Sequence, residues 1–387
     1  MCNSDTFYGI ERDYFMKKSC INTAEEIAQQ PEVWNELCSI LSEKKQDIIS
    51  FMEKAGANRR VIFTGAGSSA FVGDALSSLL AESNGVRTES IHSTDIVSSP
   101  ASCLFDVPTL LISVARSGNS PESVGAVQYA RSAIKDLYEV TILCDPDSNL
   151  SVEAEKTDKG LTLLMPENSN DKGFAMTSSV SCMMLTGFSL FNACRIDEII
   201  QDISKLSSFV RNAGRRYTES AKEWAASNFD RIVYLGCGFL KHIAHEASLK
   251  MMELTNGCVN GSYEGAVGFR HGPKSVINDR TLTVHIISSN PFTARYDLDL
   301  MQEIYNQKKQ NRMIALSAKL ETACDESILI ESDGYGIGKA ICTGLQALVF
   351  CQMLAMFKSL ELGMTTDNPS PAGEVNRVVK GITVYEY

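Results

Sequence analysis

The stretch Leu111-Ile-Ser-Val-Ala-Arg-Ser-Gly-Asn-Ser-Pro-Glu122 decides how the chain is read. Its start, with Leu110, Leu111, Ile112 and Val114, is apolar and β-branched, as a buried parallel strand requires. Bulk then gives way to Arg116-Ser-Gly-Asn-Ser, and Pro121 follows, suited to the first turn of a helix with Ser120 as its N-cap. A strand ends, a short loop turns, and a helix begins with its unpaired amides facing the loop. Such a helix start carries donors and partial positive charge, which suit a phosphate. Ser117, Asn119 and Ser120 add side-chain donors. The same signature also fits a capped strand-to-helix connection that binds nothing, so the rest of the chain has to decide.

Outward from this stretch, the pattern repeats. Upstream, Arg60-Val-Ile-Phe-Thr64 reads as a strand followed by Gly65-Ala-Gly-Ser-Ser69 and a helix to about residue 84. It lacks the third glycine of a dinucleotide fingerprint and the Gly-Lys-Ser/Thr of a P-loop. Downstream come strands over residues 139–144 and 161–165 and a long apolar helix over about 175–194. After a polar helical connection, Arg231-Ile-Val-Tyr-Leu235 and Gly236-Cys-Gly238 return, 171 residues after Arg60-to-Gly67. Thr281-Leu-Thr-Val-His-Ile-Ile287 with Ser288-Ser-Asn-Pro291 echoes residues 111–121. Further strands are read at 312–316 and 328–330, and a long apolar helix at 337–362. Alternating strands and helices, twice over, imply a duplicated α/β fold: two tandem doubly wound parallel sheets flanked by helices. At the N-terminus, Thr23-Ala-Glu-Glu26 reads as a capping box. Trp34, Leu37, Leu41, Ile48 and Met52 mark a helical stripe ending near Gly56. The expected segments are a helical arm (1–45), two α/β domains (46–205 and 206–366) and an extended tail (367–387).

Composition narrows the function. The 387 residues are 44% hydrophobic and 21% charged, with net charge −11 and pI near 5.1, which argues against nucleic acid or an anionic membrane as partner. Twelve cysteines are scattered without a CxxC pair, a pattern of reduced thiols and a cytoplasmic location. No secretory signal pattern opens the chain, and no uninterrupted apolar run is read as long enough to span a bilayer.

The helix after Gly238 runs through Glu246-Ala-Ser-Leu-Lys-Met-Met-Glu253, and a glycine-rich segment leads to Gly268-Phe-Arg-His-Gly-Pro-Lys274. A helical glutamate and a histidine on a constrained loop form a candidate acid/base pair. Glu253 and Lys250 taken singly also fit solvated helix positions, and His271 a structural histidine. His242-x-x-His245-Glu246 lacks the HExxH spacing and a third ligand, so no metal site is expected.

With these residues in view, residues 45–387 resemble the sugar isomerase (SIS) domain family twice over. Gly65-Ala-Gly-Ser-Ser69 and Ala115-Arg-Ser-Gly-Asn-Ser-Pro-Glu122 look like its sugar-phosphate loops. Within the family, residues 115–123, 268–275 and 373–380 together are most similar to the galactosamine-6-phosphate deaminase/isomerase group, also called tagatose-6-phosphate ketose/aldose isomerase. The resemblance implies phosphate contacts at Ser68, Ser69, Arg116, Ser117, Asn119 and Ser120, and substrate binding at Lys250. From the isomerase half of glucosamine-6-phosphate synthase it implies Glu253 as the proton shuttle between carbons 1 and 2. His271 would open the sugar ring, supplied there by the neighbouring subunit, and Lys380 matches a C-terminal lysine in Val378-Val-Lys-Gly-Ile-Thr. Asp171-Lys-Gly-Phe-Ala-Met-Thr177 sits where that enzyme lines the sugar. Ala115 and Arg116 depart from its serine and glutamine, and the segment between Glu253 and His271 is slightly longer. About sixty residues precede the first loop, too few for that enzyme's glutaminase domain, so the expectation is that ammonia would be exchanged with solution.

The resemblance thus implies deamination of galactosamine 6-phosphate to tagatose 6-phosphate and ammonia, by a cytoplasmic homodimer or higher homo-oligomer without metal or organic cofactor. Its partner is a small sugar phosphate, not nucleic acid or membrane. Two alternatives stand beside it: a non-deaminating aldose/ketose phosphate isomerase, and a sugar-phosphate sensor without catalysis.

Overall fold

The structure, a computed structural model, describes residues 6–307, 309–371, 373, 375–379 and 381–386. The chain divides into two compact units. One holds Glu32–Asp171, Met176–Gln201 and Gly373–Tyr387; the other holds Met1–Pro31, Lys172–Ala175 and Asp202–Ala372. This division cuts the chain differently from the four-segment reading: the tail goes with the first sheet and the first thirty residues with the second.

The first unit is built on five parallel strands: β1 (Arg60–Thr64), β2 (Glu89–Ser90), β3 (Thr109–Ala115), β4 (Leu137–Leu143) and β5 (Gly160–Leu164), in the order β2-β1-β3-β4-β5. Every residue of β3 and β4 is buried, as expected of central strands covered on both faces. Helix α1 (Gln30–Ala55) precedes the sheet and carries the anticipated stripe. Trp34, Leu37, Leu41 and Ile48 are buried, and the Trp34 indole donates to Ser181 Oγ at 2.9 Å. Helices α2 (Ser68–Asn84), α3 (Pro121–Ala133) and α4 (Ser178–Leu190) follow β1, β3 and β5. Gly85, at φ +65°, ends α2 in the left-handed conformation that glycine adopts without strain.

A long amphipathic helix, α5 (Ile196–Ala225), leads to the second sheet: β6 (Arg231–Leu235), β7 (Asn260–Glu264), β8 (Thr281–Ile286), β9 (Arg312–Ser317) and β10 (Glu326–Leu329). Its order, β7-β6-β8-β9-β10, and its parallel pairing repeat those of the first sheet. Helix α6 (Phe239–Leu254) follows β6, α7 (Pro291–Asn306) follows β8, and α8 (Lys339–Glu361) closes the repeat against α6. The doubly wound duplicated fold is therefore present. In each sheet the order reverses between the first strand and the third, and crevices at such switch points, outside the carboxyl ends of the strands, are where α/β folds hold ligands.

Two expectations are corrected. Thr23 does not open a helix: it lies inside Ile21–Ala28, where its amide and hydroxyl donate to Asp367 at 2.9 and 3.0 Å. The Glu26 carboxylate accepts from the amides of Lys172 and Gly173 rather than closing a capping box. Helix α8, with 23 residues and mean hydropathy 1.8, is by length and composition able to span a bilayer. Its apolar window is 94% buried, so the hydrophobicity serves the core of the second unit.

Candidate active site

Two loops leave the switch point of the first sheet side by side. After β1, Gly67 turns the chain at φ +56°, and α2 starts at once with the buried Ser68 and Ser69. Gly65 is required by close approach: a Cβ there would lie 2.8–2.9 Å from the Ser69 backbone and the Val114 carbonyl. After β3, Gly118 at φ +61° lets the second loop turn, and a Cβ would strike Ser148 Oγ at 2.4 Å. Ser120 is the N-cap residue of α3, as read from sequence, with Pro121 in the first turn. Among the described residues its hydroxyl makes no capping bond. The Ser120 hydroxyl is thus left beside a helix start where Pro121 brings no N–H and the Ser123 amide donates to the Ser120 carbonyl at 3.1 Å.

Asn119 faces elsewhere: its amide nitrogen donates to Asp145 Oδ2 at 3.4 Å, and its oxygen accepts from the Asn149 amide at 3.0 Å. It braces the loop that presents Ser117 and Ser120. The Arg116 guanidinium, buried at the end of β3, donates to the Arg377 carbonyl at 2.9 Å. Arg377 in turn donates to the Asp171 carbonyl. Further along the tail, the Tyr385 carbonyl accepts from Tyr129 Oη, and Val384 packs on the cluster containing Ala126, Val127 and Tyr129. The described part of the tail therefore lies on α3, tied to Arg116. Lys380 falls outside the described residues.

Asp171, read from sequence as part of a sugar-lining segment, turns its side chain to the start of α4. Its carboxylate is fully buried and accepts from the amides and hydroxyls of Thr177, Ser178 and Ser179, closing the N-terminus of α4. Nearby, burial pushes the Cys144 thiol up to about 12. The eleven described cysteines are free.

In the second unit, one face of α6 carries Glu246, Lys250 and Glu253 at i, i+4 and i+7. Lys250 is wholly buried, its ammonium 3.4 Å from Glu246 Oε1 and paired with Glu253 Oε2. Glu246 is also wholly buried, whereas the Glu253 side chain keeps 25% exposure. Burial works to lower the Lys250 pKa, but the two carboxylates outweigh it and the net shift is upward. Lys250, expected at the substrate, is thus a buried link between carboxylates, and only Glu253 of the three reaches solvent. Glu246 went unassigned, although its spacing to Lys250 marks a helical ion pair.

His271 is exposed on the loop between Ala266–Phe269 and the short 3-10 turn Pro273–Val276. Its amide donates to the Gly268 carbonyl at 2.9 Å. His245, weighed above as a ligand, stacks on Tyr263 at 3.9 Å instead. No metal-binding cluster occurs among the described residues.

The second repeat shows what its loops have lost. Gly238, at φ +58°, turns as Gly67 does, but Phe239 and Leu240 stand where α2 has two serines. Asn290 caps α7 with its own side chain, accepting from the Phe292 amide at 2.9 Å. Asp297, whose pKa burial raises, takes the Ser288 amide at 3.0 Å and sits beside the Cys237 thiol. An anion here would meet an occupied helix start and a carboxyl group.

A duplicated parallel α/β fold with serine-bearing loops at its first switch point defines a class of doubly wound protein that holds ligands outside the carboxyl ends of its strands. The SIS domain family model matches residues 55–193 and 227–355, and the chain belongs to that family. D-galactosamine-6-phosphate deaminase AgaS of Escherichia coli is 36% identical over 373 residues, covering 94% of this chain and 96% of its own. The crystal structure of tagatose-6-phosphate ketose/aldose isomerase from Escherichia coli matches with TM-score 0.84 and 34% identity, over 95% of this chain and 96% of that one. A candidate tagatose-6-phosphate ketose/aldose isomerase of Clostridium novyi NT matches with TM-score 0.95 and 38% identity, over 99% of each chain.

Proposed function

We propose that this protein is a cytoplasmic deaminating isomerase that converts galactosamine 6-phosphate and water to tagatose 6-phosphate and ammonia. The observation that carries the reading is the asymmetry between the repeats. Ser68, Ser69, Ser117 and Ser120 bring four hydroxyls to the first switch point, whereas Phe239 and Leu240 replace the first pair in the second repeat and Asn290 caps its own helix there. Similarity to the Escherichia coli deaminase over nearly the whole chain supports the choice of substrate.

In this reading Ser68, Ser69, Ser117 and Ser120 take the phosphate. Each charge-assisted hydrogen bond contributes about 1.5–3 kcal/mol, so a few anchor the substrate. Arg116 and Asn119 act one step back, holding the tail and the loop. With the ring opened by His271, Glu253 takes the proton from carbon 2 and returns it to carbon 1, while a second proton passes from the amine to the carbon-1 oxygen, leaving an imine at carbon 2 and a hydroxyl at carbon 1. Water adds to that imine and ammonia leaves. Acid–base help of this kind typically contributes about 10²–10⁴ in rate. Lys380 and a second copy of the chain that supplies His271 complete the proposal.

The test is a panel of hexosamine 6-phosphates with ammonia detection, run with Glu253→Gln. Ammonia from galactosamine 6-phosphate, lost in the variant with binding kept within a few fold, supports the reading. A variant with near-normal turnover refutes the role of Glu253. The isomerase name of the second Escherichia coli relative favours one other outcome, aldose/ketose interconversion without ammonia release.

A further inference from the structure

The loop that carries His271 is held at both flanks by one carboxylate. On the N-terminal side, Arg270 Nε donates to Glu303 Oε2 at 2.7 Å. On the C-terminal side, the Lys274 ammonium donates to Glu303 Oε1. Glu303 belongs to α7, a different element from the loop, and its two oxygens are divided between the flanks. Beneath it, Phe269 is buried in the cluster with Leu300 and Ile304 of the same helix. The backbone between the flanks has little freedom left: Gly272 turns at φ +128°, a conformation that side chains disfavour, and Pro273 fixes the next residue. The His271 ring is exposed and has no hydrogen-bond partner among the described residues. The place from which the ring is presented is set by its backbone, and its backbone by the clamp, while the ring itself turns about χ1 and χ2.

We propose that Glu303 is the positioning residue of the His271 loop, holding Arg270 and Lys274 together so that the backbone bearing the imidazole keeps one position for ring opening. The inference rests on the role given to His271 above. The three side chains keep 23–32% exposure, and ion pairs of that kind contribute little to stability. Loss of the clamp therefore leaves the fold intact and shows in the reaction. A reacting group displaced by about 1 Å loses on the order of 10²-fold in rate.

The experiment is a double-mutant cycle on the full-length protein, with Glu303→Gln, His271→Ala and the two combined, measured as kcat and KM on galactosamine 6-phosphate beside the melting temperature. The expected result is a 10- to 100-fold fall in kcat for Glu303→Gln, with KM within about three-fold and an unchanged melting temperature. In the His271→Ala background the same change then has no further effect, because both act through one group. Equal fold-losses from Glu303→Gln in both backgrounds overturn the clamp, as does normal kcat in Glu303→Gln while His271→Ala is impaired. Normal turnover by His271→Ala overturns instead the role given to His271, whatever Glu303→Gln does.

Discussion

Replacing Lys250 by methionine is the sharpest probe of how the second unit holds Glu253. Methionine keeps most of the volume of the lysine stem and removes the charge. Glu246, with no exposure, then faces a neutral side chain where an ammonium stood at 3.4 Å. Coulomb attraction at that separation is about 5 kcal/mol at an effective dielectric constant of about 20, and removal of one partner of a buried pair typically costs about 3–5 kcal/mol. Lys250→Met should therefore lower the unfolding free energy by about 3–5 kcal/mol in a urea titration. Adding Glu246→Gln removes the stranded charge and should restore most of that loss. It should not restore ammonia release, because Glu253 still lacks the ammonium that holds it. The Lys250 pKa is raised above 10.5, so its stabilisation is complete at neutral pH and is lost only as pH rises through the folded value. A single variant within 1 kcal/mol of wild type, or a double variant no more stable than the single, refutes the reasoning.

Asp171→Ala strips the start of α4 of its acceptor and leaves buried hydroxyls and amides unpaired. About 3–5 kcal/mol of destabilisation is expected by urea titration, with Asp171→Asn recovering part of it. His285 lies buried in β8, where burial lowers its pKa from 6.5 to about 3. The unfolded chain binds a proton below pH 6.5 that the folded chain refuses until about pH 3, so stability falls as pH drops through that window. At pH 5 the loss is about 2 kcal/mol. In His285→Leu the change in unfolding free energy between pH 7 and pH 5 should be smaller by that amount.

Much of this architecture is written locally. The runs at β3, β6 and β8 are apolar because both faces of a central strand are covered, and the small polar residues before Pro121 and Pro291 mark helix starts wherever they occur. Their recurrence at nearly the same offset, 171 residues for the first strand and 170 for the prolines, makes the duplication legible. The edge strands β2 and β7 escape such reading because Glu89-Ser90 and Asn260-Gly-Ser-Tyr-Glu264 are polar, as strands with an open edge can be. Thr23 misleads because its partner, Asp367, lies 344 residues away. Lys250 shows the same limit within a site. Its spacing to Glu246 and Glu253 is visible in the sequence, but burial, which turns a ligand candidate into an internal tie, depends on α8 packing over α6. Arg116, an outlier among its loop neighbours by charge, finds its partner only once the tail has returned to the first unit.

The most direct measurement is a crystal structure of Glu253→Gln soaked with galactosamine 6-phosphate. The account predicts the phosphorus atom at the first switch point, with its oxygens within hydrogen-bonding distance of Ser117 and Ser120. Phosphate bound beside Gly238 and Asn290 in the second repeat, with the first-repeat loops empty, would contradict it.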